Sequence, residues 1–144
     1  MLVQTILKSK ADDGVVTVRP DITVSDAASL LSQRRIGTVV VSADGESADG
    51  ILSERDIVGE IGRRGPGCLS DTVATLMTKQ LVTCTPADTA DAVLSKMTEG
   101  RFRHMPVMDG DRMVGLISLG DVVKALLKEL AMEKDALQDM IMGH

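Results

Sequence analysis

Aromatic residues are almost absent from this 144-residue chain, which has one phenylalanine, Phe102, and no tryptophan or tyrosine. Proteins that bind single-stranded nucleic acid use several aromatic rings as stacking platforms for bases, and this chain has only one ring. Its net charge of −5 also disfavours DNA or RNA, because polyanions are bound through clustered Lys and Arg. The composition therefore argues against nucleic acid as the main partner but leaves one bound nucleotide open.

Cysteine and long apolar runs are equally scarce. The two cysteines, Cys68 and Cys84, are too few and too unpatterned for a disulfide framework or a zinc site. No apolar run approaches the ~20 residues that cross a bilayer, and the first residues lack the basic start and small-residue cleavage site of a signal peptide. We therefore expect a cytoplasmic protein without a membrane partner.

What the sequence does contain is a copy of itself. The phrase GILSERDIV at 50–58 returns as GLISLGDVV at 115–123, so that glycine, serine and aspartate recur 65 positions apart (115 − 50 = 65). Upstream, VTVRP at 16–20 returns as VTCTP at 82–86. Such self-similarity indicates a repeat architecture. Each copy is near the lower size limit for an independent core, so we expect the two copies to share one core.

Each copy has the apolar spacing of a helix with one buried face. Apolar residues fall at i, i+3, i+4 and i+7, which places them on one side of an α-helix. A threonine at the N-cap position, three residues after a proline, indicates where each helix begins. These residues are Thr23, Val24, Ala27, Ala28 and Leu31 in the first copy, and Thr89, Ala90, Val93, Leu94 and Met97 in the second.

Strands are predicted on both sides of this helix. Two short apolar runs around an Asp-Gly turn follow it, as in a hairpin, and one run precedes it. A second helix then begins near Asp56 or Asp121, and the glycine-rich stretch 62–67 is predicted to leave the first copy. The predicted strands are 16–18, 38–41 and 50–52, then 81–84, 105–108 and 113–117; the second helices are predicted to bury Ile57, Val58 and Ile61, and Val122, Val123, Leu126 and Leu127.

The sequence thus predicts an α/β fold of the α+β type, with two β-α-β-β-α repeats in one module spanning 1–144. We expect the first repeat at 8–64, the second at 72–130 and an amphipathic C-terminal helix extension at 131–144. Beyond Leu127 the apolar spacing of a helix continues through Leu130, Leu137 and Met140 or Ile141. Periodicity leaves open whether this helix docks on its own chain or on a partner chain.

The repeated phrase has both a structural and a functional interpretation. Ser53 with Asp56, and Ser118 with Asp121, have the spacing of capping boxes, which satisfy free amides at the start of a helix. The glycine that precedes both boxes is not needed for capping, and a residue without Cβ permits close approach of another group. A helix N-terminus suits a phosphate, and a carboxylate can accept from both hydroxyls of a ribose. The phrase therefore also suits a nucleotide.

The segment 101–107, RFRHMPV, adds two candidate phosphate contacts, Arg103 and His104, just before a strand. We interpret Arg101 as an ordinary solvated side chain. The first copy has the uncharged Gly37 and Thr38 at the corresponding places. If the copies pack about a pseudo-two-fold axis, they form two clefts of related shape and unequal charge.

Together these motifs resemble a tandem pair of CBS (cystathionine β-synthase) domains, a family of regulatory adenosyl-ligand sensors. The resemblance covers nearly the whole chain and rests on both Gly-to-Asp phrases, on RHMPV at 103–107 and on VATLMT at 73–78. It implies two β-α-β-β-α repeats packed sheet-to-sheet about a pseudo-two-fold axis, and disc-like homodimers. It also implies binding of AMP, ADP, ATP or a related compound between the copies.

The family resemblance also implies roles for individual residues. Asp56 and Asp121 would hold ribose hydroxyls, and Ser53 and Ser118 would face phosphate. One cleft, which we favour as a site, would combine Asp121 and Ser118 with Ile36, Gly37, Arg103 and His104; the other would combine Asp56 and Ser53 with Arg55, Phe102 and Arg103. Thr38 and Met105, which follow Gly37 and His104, complete the candidate ligand-binding residues.

Three functions compete at this point. The first is a non-catalytic sensor of adenine nucleotides that acts on an unknown effector protein. For this sensor NAD(H) is an alternative ligand, because it contains an adenylate half. The second function is a ligand-independent dimerisation or interaction scaffold, and the third is an enzyme. Catalysis is disfavoured because the chain has no nucleophile–base pair and no metal-ligand spacing: His104 and the terminal His144 are its only histidines.

Overall fold

The computed structural model describes residues 1–10 and 14–143. The predicted α/β architecture, with two repeats and a C-terminal helix, is confirmed. In chain order the elements are α1 (Val3–Ser9), β1 (Thr17–Val18), α2 (Val24–Arg34), β2 (Thr38–Val41), β3 (Gly50–Ser53), α3 (Glu54–Arg64), a 3₁₀ helix (Pro66–Ser70), α4 (Val73–Leu76), α5 (Ala90–Gly100), β4 (His104–Asp109), β5 (Arg112–Ser118) and α6 (Leu119–Met142).

The first copy has the predicted order of elements. Its sheet has the strand order β1-β2-β3, in which β1 is parallel and β3 antiparallel to β2. The side chain of Thr23 accepts from the Asp26 amide and caps α2, as its sequence position predicts. The predicted exit at 62–67 is wrong in part, because α3 continues to Arg64 and ends at Gly65.

The second copy lacks a regular opening strand, which corrects the predicted strand at 81–84. Only Cys84 makes a parallel bridge, to Val107, through Cys84 N–H to Pro106 O and Met108 N–H to Cys84 O. In the first copy the pairing extends further, because Val40 N–H donates to Val16 O. Pro106 stands in the place of Val40 and has no N–H to donate, so pairing cannot extend to Val82.

The buried side chains form two clusters, so the expectation of one shared core is wrong. The first cluster joins β1, α2, β2, β3, α3 and α4, and the second joins α1, α5, β4, β5 and the start of α6. The clusters contain Val18, Val24, Ala27, Leu31, Val39, Val41, Leu52, Ile57 and Val73, and Val3, Ile6, Cys84, Ala90, Val93, Met97, Met105, Val107, Ile117, Val122 and Ala125.

The segment before each copy packs on the core of the other copy. Val3 N–H donates to Asp88 O and Ala90 N–H to Met1 O, which ties α1 to the second copy. Equivalent bonds tie α4 to the first copy: Val73 N–H donates to Ile22 O, and Val24 N–H donates to Asp71 O. Val73 corresponds to Val3 at an offset of 70 (73 − 3 = 70), and Asp88 corresponds to Ile22 at an offset of 66 (88 − 22 = 66). The two halves are therefore joined by an exchange of segments.

The buried faces of α3 and α6, the second helices of the two copies, are narrower than the sequence predicts. Val58, Val123 and Leu127 were expected in the core, but they are exposed by 68%, 41% and 61%. The buried positions are Ile57 in α3 and Val122 and Ala125 in α6, and the next residue along a helix lies about 100° around its axis. Val58 and Val123 therefore point away from the core.

The second helix of the second copy and the tail are one continuous helix, α6. Its residues from Leu130 onward are exposed, and they include Leu137, Met140 and Ile141. The helix ends at Met142, with Gly143 in a left-handed conformation as its C-cap. None of the helices in the described ranges has the length and apolar character needed to cross a membrane.

Candidate functional site

The larger of two clefts between the copies contains Asp56, and we call it the Asp56 cleft. Its volume is about 580 Å³, which is within the usual range for small-molecule sites. It is built from the start of α3, the loop before β2, the segment after α4 and the loop between α5 and β4. Its lining residues are Gly37, Thr38, Ile51, Ser53, Glu54, Arg55, Asp56, Thr78, Gln80, Leu81, Val82, Gly100, Arg101, Phe102, Arg103 and His104.

Capping geometry holds Asp56 at the base of this cleft. Ser53 Oγ accepts from the Asp56 amide at 3.1 Å, and Asp56 Oδ2 accepts from the Ser53 amide at 2.9 Å, so the predicted capping box is present. Glu54 N–H donates to Gly37 O at 2.9 Å, which uses another amide of the first helical turn. A carboxylate has acceptor capacity for several donors, so Asp56 can still accept from a ligand hydroxyl.

Three arginines line the same cleft. Arg55 follows the cap of α3, whereas Arg101 and Arg103 lie in the loop between α5 and β4. They share the lining with two carboxylates, Glu54 and Asp56. In a chain with a net charge of −5, this is a local concentration of positive charge, and guanidinium groups bind phosphate oxygens well.

The second cleft is smaller and lies beside the second capping box; we call it the Asp121 cleft. Its volume is about 220 Å³. Ser118 Oγ accepts from the Asp121 amide at 3.1 Å, and Asp121 Oδ2 accepts from the Ser118 amide at 2.9 Å, as in the first box. Its lining residues are Leu7, Lys10, Gly14, Val15, Val16, Ile36, Thr38, Val114, Gly115 and Leu116.

Lys10 lies on the carboxylate of Asp121. Its Nζ donates to Asp121 Oδ2 and to Leu116 O, both at 2.9 Å, and both charged side chains are mostly buried, with exposures of 22% and 23%. Burial disfavours the ionised form of Asp121, but the hydrogen bonds from Ser118 and Lys10 outweigh it and hold the pKa of Asp121 below its ordinary value. Asp121 is therefore an ionised acceptor that already has a cationic partner.

His104 lies between the two clefts. Its Nδ1 is 3.3 Å from Thr38 Oγ1, and Thr38 lines both clefts. Burial lowers the pKa of His104; nearby Asp121 opposes this, whereas the cations Lys10 and Arg103 add to it. His104 is accordingly a neutral imidazole at neutral pH that joins the two copies through Thr38.

Most of the predicted site residues line one of the clefts, but their grouping differs from the expected one. Arg103 was expected in both clefts and lines the Asp56 cleft, whereas His104, expected beside Asp121, lines the Asp56 cleft and is also within electrostatic reach of Asp121. Met105 is fully buried in the second core and lines neither cleft. The Asp56 cleft contains Gly37, Thr38, Ser53, Arg55, Asp56, Phe102, Arg103 and His104, whereas Ile36 and Thr38 line the Asp121 cleft. Ser118 and Asp121 line neither cleft; Asp121 adjoins the second one through its bond to Lys10, which lines it.

The polar lining residues that sequence reasoning missed include Lys10, Gln80 and Arg101. Lys10 and Gln80 belong to the segments exchanged between the copies, and no repeated motif marks either residue. Arg101 was interpreted as an ordinary solvated residue, although it lines the Asp56 cleft. Among residues 1–10 and 14–143, no three side chains of His, Cys, Asp or Glu form a group that could hold a metal ion.

Comparisons with known proteins identify the repeated unit of the chain. A family model described as CBS domain matches residues 9–63 and 73–128. The CBS domain-containing protein CBSX3, mitochondrial, of Arabidopsis thaliana is 34% identical over 148 residues, which cover 98% of this chain and 72% of that protein.

Solved structures share the fold. The CBS-domain containing protein ATU1752 from Agrobacterium tumefaciens has a TM-score of 0.81 at 44% identity, covering 87% of this chain and 98% of that one. The CBS domain pair of protein MJ0100, in complex with 5′-methylthioadenosine and S-adenosyl-L-methionine, has a TM-score of 0.76 over 90% of this chain and 98% of that one. At 22% identity this likeness concerns the fold alone. With both of its copies matched by the family model, the chain belongs to the CBS domain family.

Proposed function

We propose that this chain is a non-catalytic regulatory module that binds an adenine nucleotide, AMP, ADP or ATP, in the Asp56 cleft. The observation that carries the proposal is the combination, within one cleft of about 580 Å³, of the Asp56 carboxylate with three arginines. A carboxylate accepts from ribose hydroxyls, and guanidinium groups pair with phosphate. The sequence favoured the Asp121 cleft, but its smaller volume and the ion pair on Asp121 support the Asp56 cleft instead.

The chemistry of the cleft supports a phosphorylated ligand. The MJ0100 pair binds 5′-methylthioadenosine and S-adenosyl-L-methionine, neither of which contains phosphate. In this chain Arg55, Arg101 and Arg103 line the cleft, and the oxygens of a phosphate group would pair with their guanidinium groups. NAD(H) remains a second candidate ligand, since its adenylate half presents the same ribose and phosphate groups.

The exposed apolar residues support assembly as a further part of the proposal. Val58 in α3 and Val123 and Leu127 in α6 are exposed on corresponding helices of the two copies, and exposed apolar groups are typical of interfaces. We propose a homodimer that passes the ligand state to a separate effector protein in the cytoplasm. A ligand-independent scaffold would use the same surface, and it differs from a sensor in having no nucleotide affinity.

The proposal predicts that Asp56→Asn weakens nucleotide binding without unfolding the protein. An asparagine oxygen can still accept from the Ser53 amide, so the cap of α3 is preserved, while the charge that holds the ribose is lost. Since a hydrogen bond to a charged group contributes about 1.5–3 kcal/mol, we expect affinity to fall about tenfold to a hundredfold. Isothermal titration calorimetry with AMP, ADP, ATP, NADH and GTP measures this loss directly.

The matched control is Asp91→Asn, which removes the same charge from an exposed position in the first turn of α5. Because Asp91 lines neither cleft, this variant should bind the nucleotide as the unaltered chain does. The melting temperature, which a bound ligand raises, gives an independent readout. If none of the five compounds bound or raised it, the sensor proposal would fail and the scaffold would be favoured.

A further inference from the structure

The segments exchanged between the copies place different residues at the two clefts. The paired backbone bonds of Val3 and Val73 relate α1 to α4 by an offset of 70 residues (73 − 3 = 70). By the same offset Lys10 corresponds to Gln80 (80 − 10 = 70). Lys10 lines the Asp121 cleft and Gln80 lines the Asp56 cleft. The two clefts therefore differ by a charged and an uncharged residue at one corresponding position.

Packing of the exchanged segments supports this correspondence. A Cβ atom on Gly50 would lie 2.5 Å from Met77 Sδ, and a Cβ atom on Gly115 would lie 2.8 Å from Leu7 Cδ2. Met77 and Leu7 are related by the same offset of 70 (77 − 7 = 70), and each lies three residues before Gln80 or Lys10. The chain therefore reaches both clefts along equivalent paths.

We propose that Lys10 is an internal ligand of Asp121 that closes the Asp121 cleft to nucleotides, and that the identity of the residue at positions 10 and 80 decides which cleft binds. Lys10 Nζ donates to the oxygen of Asp121 that also caps α6, and to Leu116 O at the wall of the cleft. Leu7 fills the space beside Gly115. Gln80 has no charge with which to hold Asp56, so the Asp56 cleft stays open.

Competition between Lys10 and a ribose explains the closure. A ribose hydroxyl that reached Asp121 would have to displace a mostly buried ammonium group from a charge-assisted hydrogen bond, which is stronger than a neutral one. At Asp56 the corresponding side chain is a neutral amide, and a ribose meets no such competitor. The inference rests on the proposed function, since it concerns the same nucleotide at the two related carboxylates.

The test exchanges the two residues and counts bound AMP. We expect equilibrium dialysis with AMP to give one molecule per unaltered chain and two per Lys10→Gln chain. Gln80→Lys should weaken binding at the Asp56 cleft by about tenfold or more. The double exchange should again bind one AMP, but Asp121→Asn rather than Asp56→Asn should now weaken its binding. Lys8→Gln, at an exposed position of α1, is the matched control and should leave one molecule bound.

A double-mutant cycle on the melting temperature tests the contact without ligand. The effects of Lys10→Gln and Asp121→Asn should be non-additive, because residues in one ion pair are coupled. Two AMP molecules on the unaltered chain, or one on Lys10→Gln, would overturn the inference, as would additive effects in the cycle. If no variant bound AMP, the proposed function would fail and the inference with it; one AMP on both the unaltered chain and Lys10→Gln would leave the proposed function in place and overturn the closure by Lys10 alone.

Discussion

His104 is in contact with both copies of the repeat. It begins β4, its ring meets Thr38 of the first copy, and it lies within the electrostatic reach of Asp121, Lys10 and Arg103. Burial has the largest effect on its pKa, and it favours the neutral ring. A residue of this kind makes stability depend on pH in a predictable direction.

We predict that the folded state loses stability as the pH falls below about 6.5, the ordinary pKa of histidine. The pKa of His104 is lowered in the folded chain, so the unfolded chain takes up the proton first and is favoured until the pH passes the folded value. Above the ordinary pKa the ring is neutral in both states, and this contribution is constant.

The measurement is the melting temperature of the unaltered chain and of His104→Gln at pH 7.5 and pH 5.5. Glutamine can still bond to Thr38 but does not titrate, so the drop between the two pH values should be smaller in the variant. Other groups contribute equally to both proteins and cancel in the comparison. An equal drop in both proteins would mean that His104 is not held neutral by the fold.

At the residue scale, local chemistry was predictable from the sequence and long-range placement was not. The Ser53–Asp56 and Ser118–Asp121 boxes are bonds between residues three apart, so their spacing predicts them. Lys10 meets Asp121 across 111 positions, a contact that depends on where α1 packs. No sequence motif marks Lys10, so the sequence alone does not predict that contact.

At the scale of elements, the glycines of the repeated phrase have a structural explanation. The sequence predicted that some group approaches Gly50 and Gly115 closely, and a ligand was one candidate. The groups are Met77 and Thr78 beside Gly50, and Leu7 beside Gly115. Both glycines therefore serve the packing of the exchanged segments, and their presence is no argument for a ligand.

This packing predicts unequal effects of alanine at the two positions. Near Gly50 the new Cβ would also lie 3.0 Å from the backbone oxygen of Thr78, which is bonded into the sheet, whereas near Gly115 it meets only the flexible end of Leu7. We expect Gly50→Ala to cost about 1–3 kcal/mol, as overpacking does, and Gly115→Ala to cost less.

Urea unfolding with a constant m-value measures both changes. Gly59→Ala is the control, since Gly59 lies exposed inside α3 with no atom within 4 Å of a new Cβ. Because alanine is a better helix former than glycine, Gly59→Ala should stabilise the protein by about 0.5–1 kcal/mol. Equal costs at Gly50 and Gly115 would contradict the difference between their surroundings.

The opening strands of the two copies differ although the repeat predicts that both form. The two opening strands have similar sequences, and pattern alone predicts both. The deciding difference is the missing N–H of Pro106, a residue in another strand, which removes the partner of Val82. Val82 is consequently 43% exposed and lines the Asp56 cleft. The difference between Val40 in the first copy and Pro106 in the second therefore alters both the sheet and the shape of the site.

At the scale of the whole molecule, the exchange of segments explains why two small cores are stable together. Each copy alone is near the size limit of a stable domain, and the sequence therefore suggested one shared core. Instead, α1 adds Val3 and Ile6 to the second core, while α4 adds Val73 to the first. Sequence periodicity could not predict this, because α1 and α4 are short helices whose partners lie far along the chain.

The exchange predicts that a change in one segment loosens the distant copy more than the neighbouring one. Ile6 is 3% exposed within the second core, so Ile6→Ala should cost about 2 kcal/mol or more and lower amide protection in α5, β4 and β5. Val73→Ala should instead lower protection in α2, β2 and β3, which share its core. Hydrogen exchange followed by mass spectrometry resolves these elements in both variants. Loss of protection mainly in α2 and β2 after Ile6→Ala would contradict the exchange. Loss in the second copy after Ile6→Ala and in the first copy after Val73→Ala would mean that each copy is held folded by the segment that precedes the other.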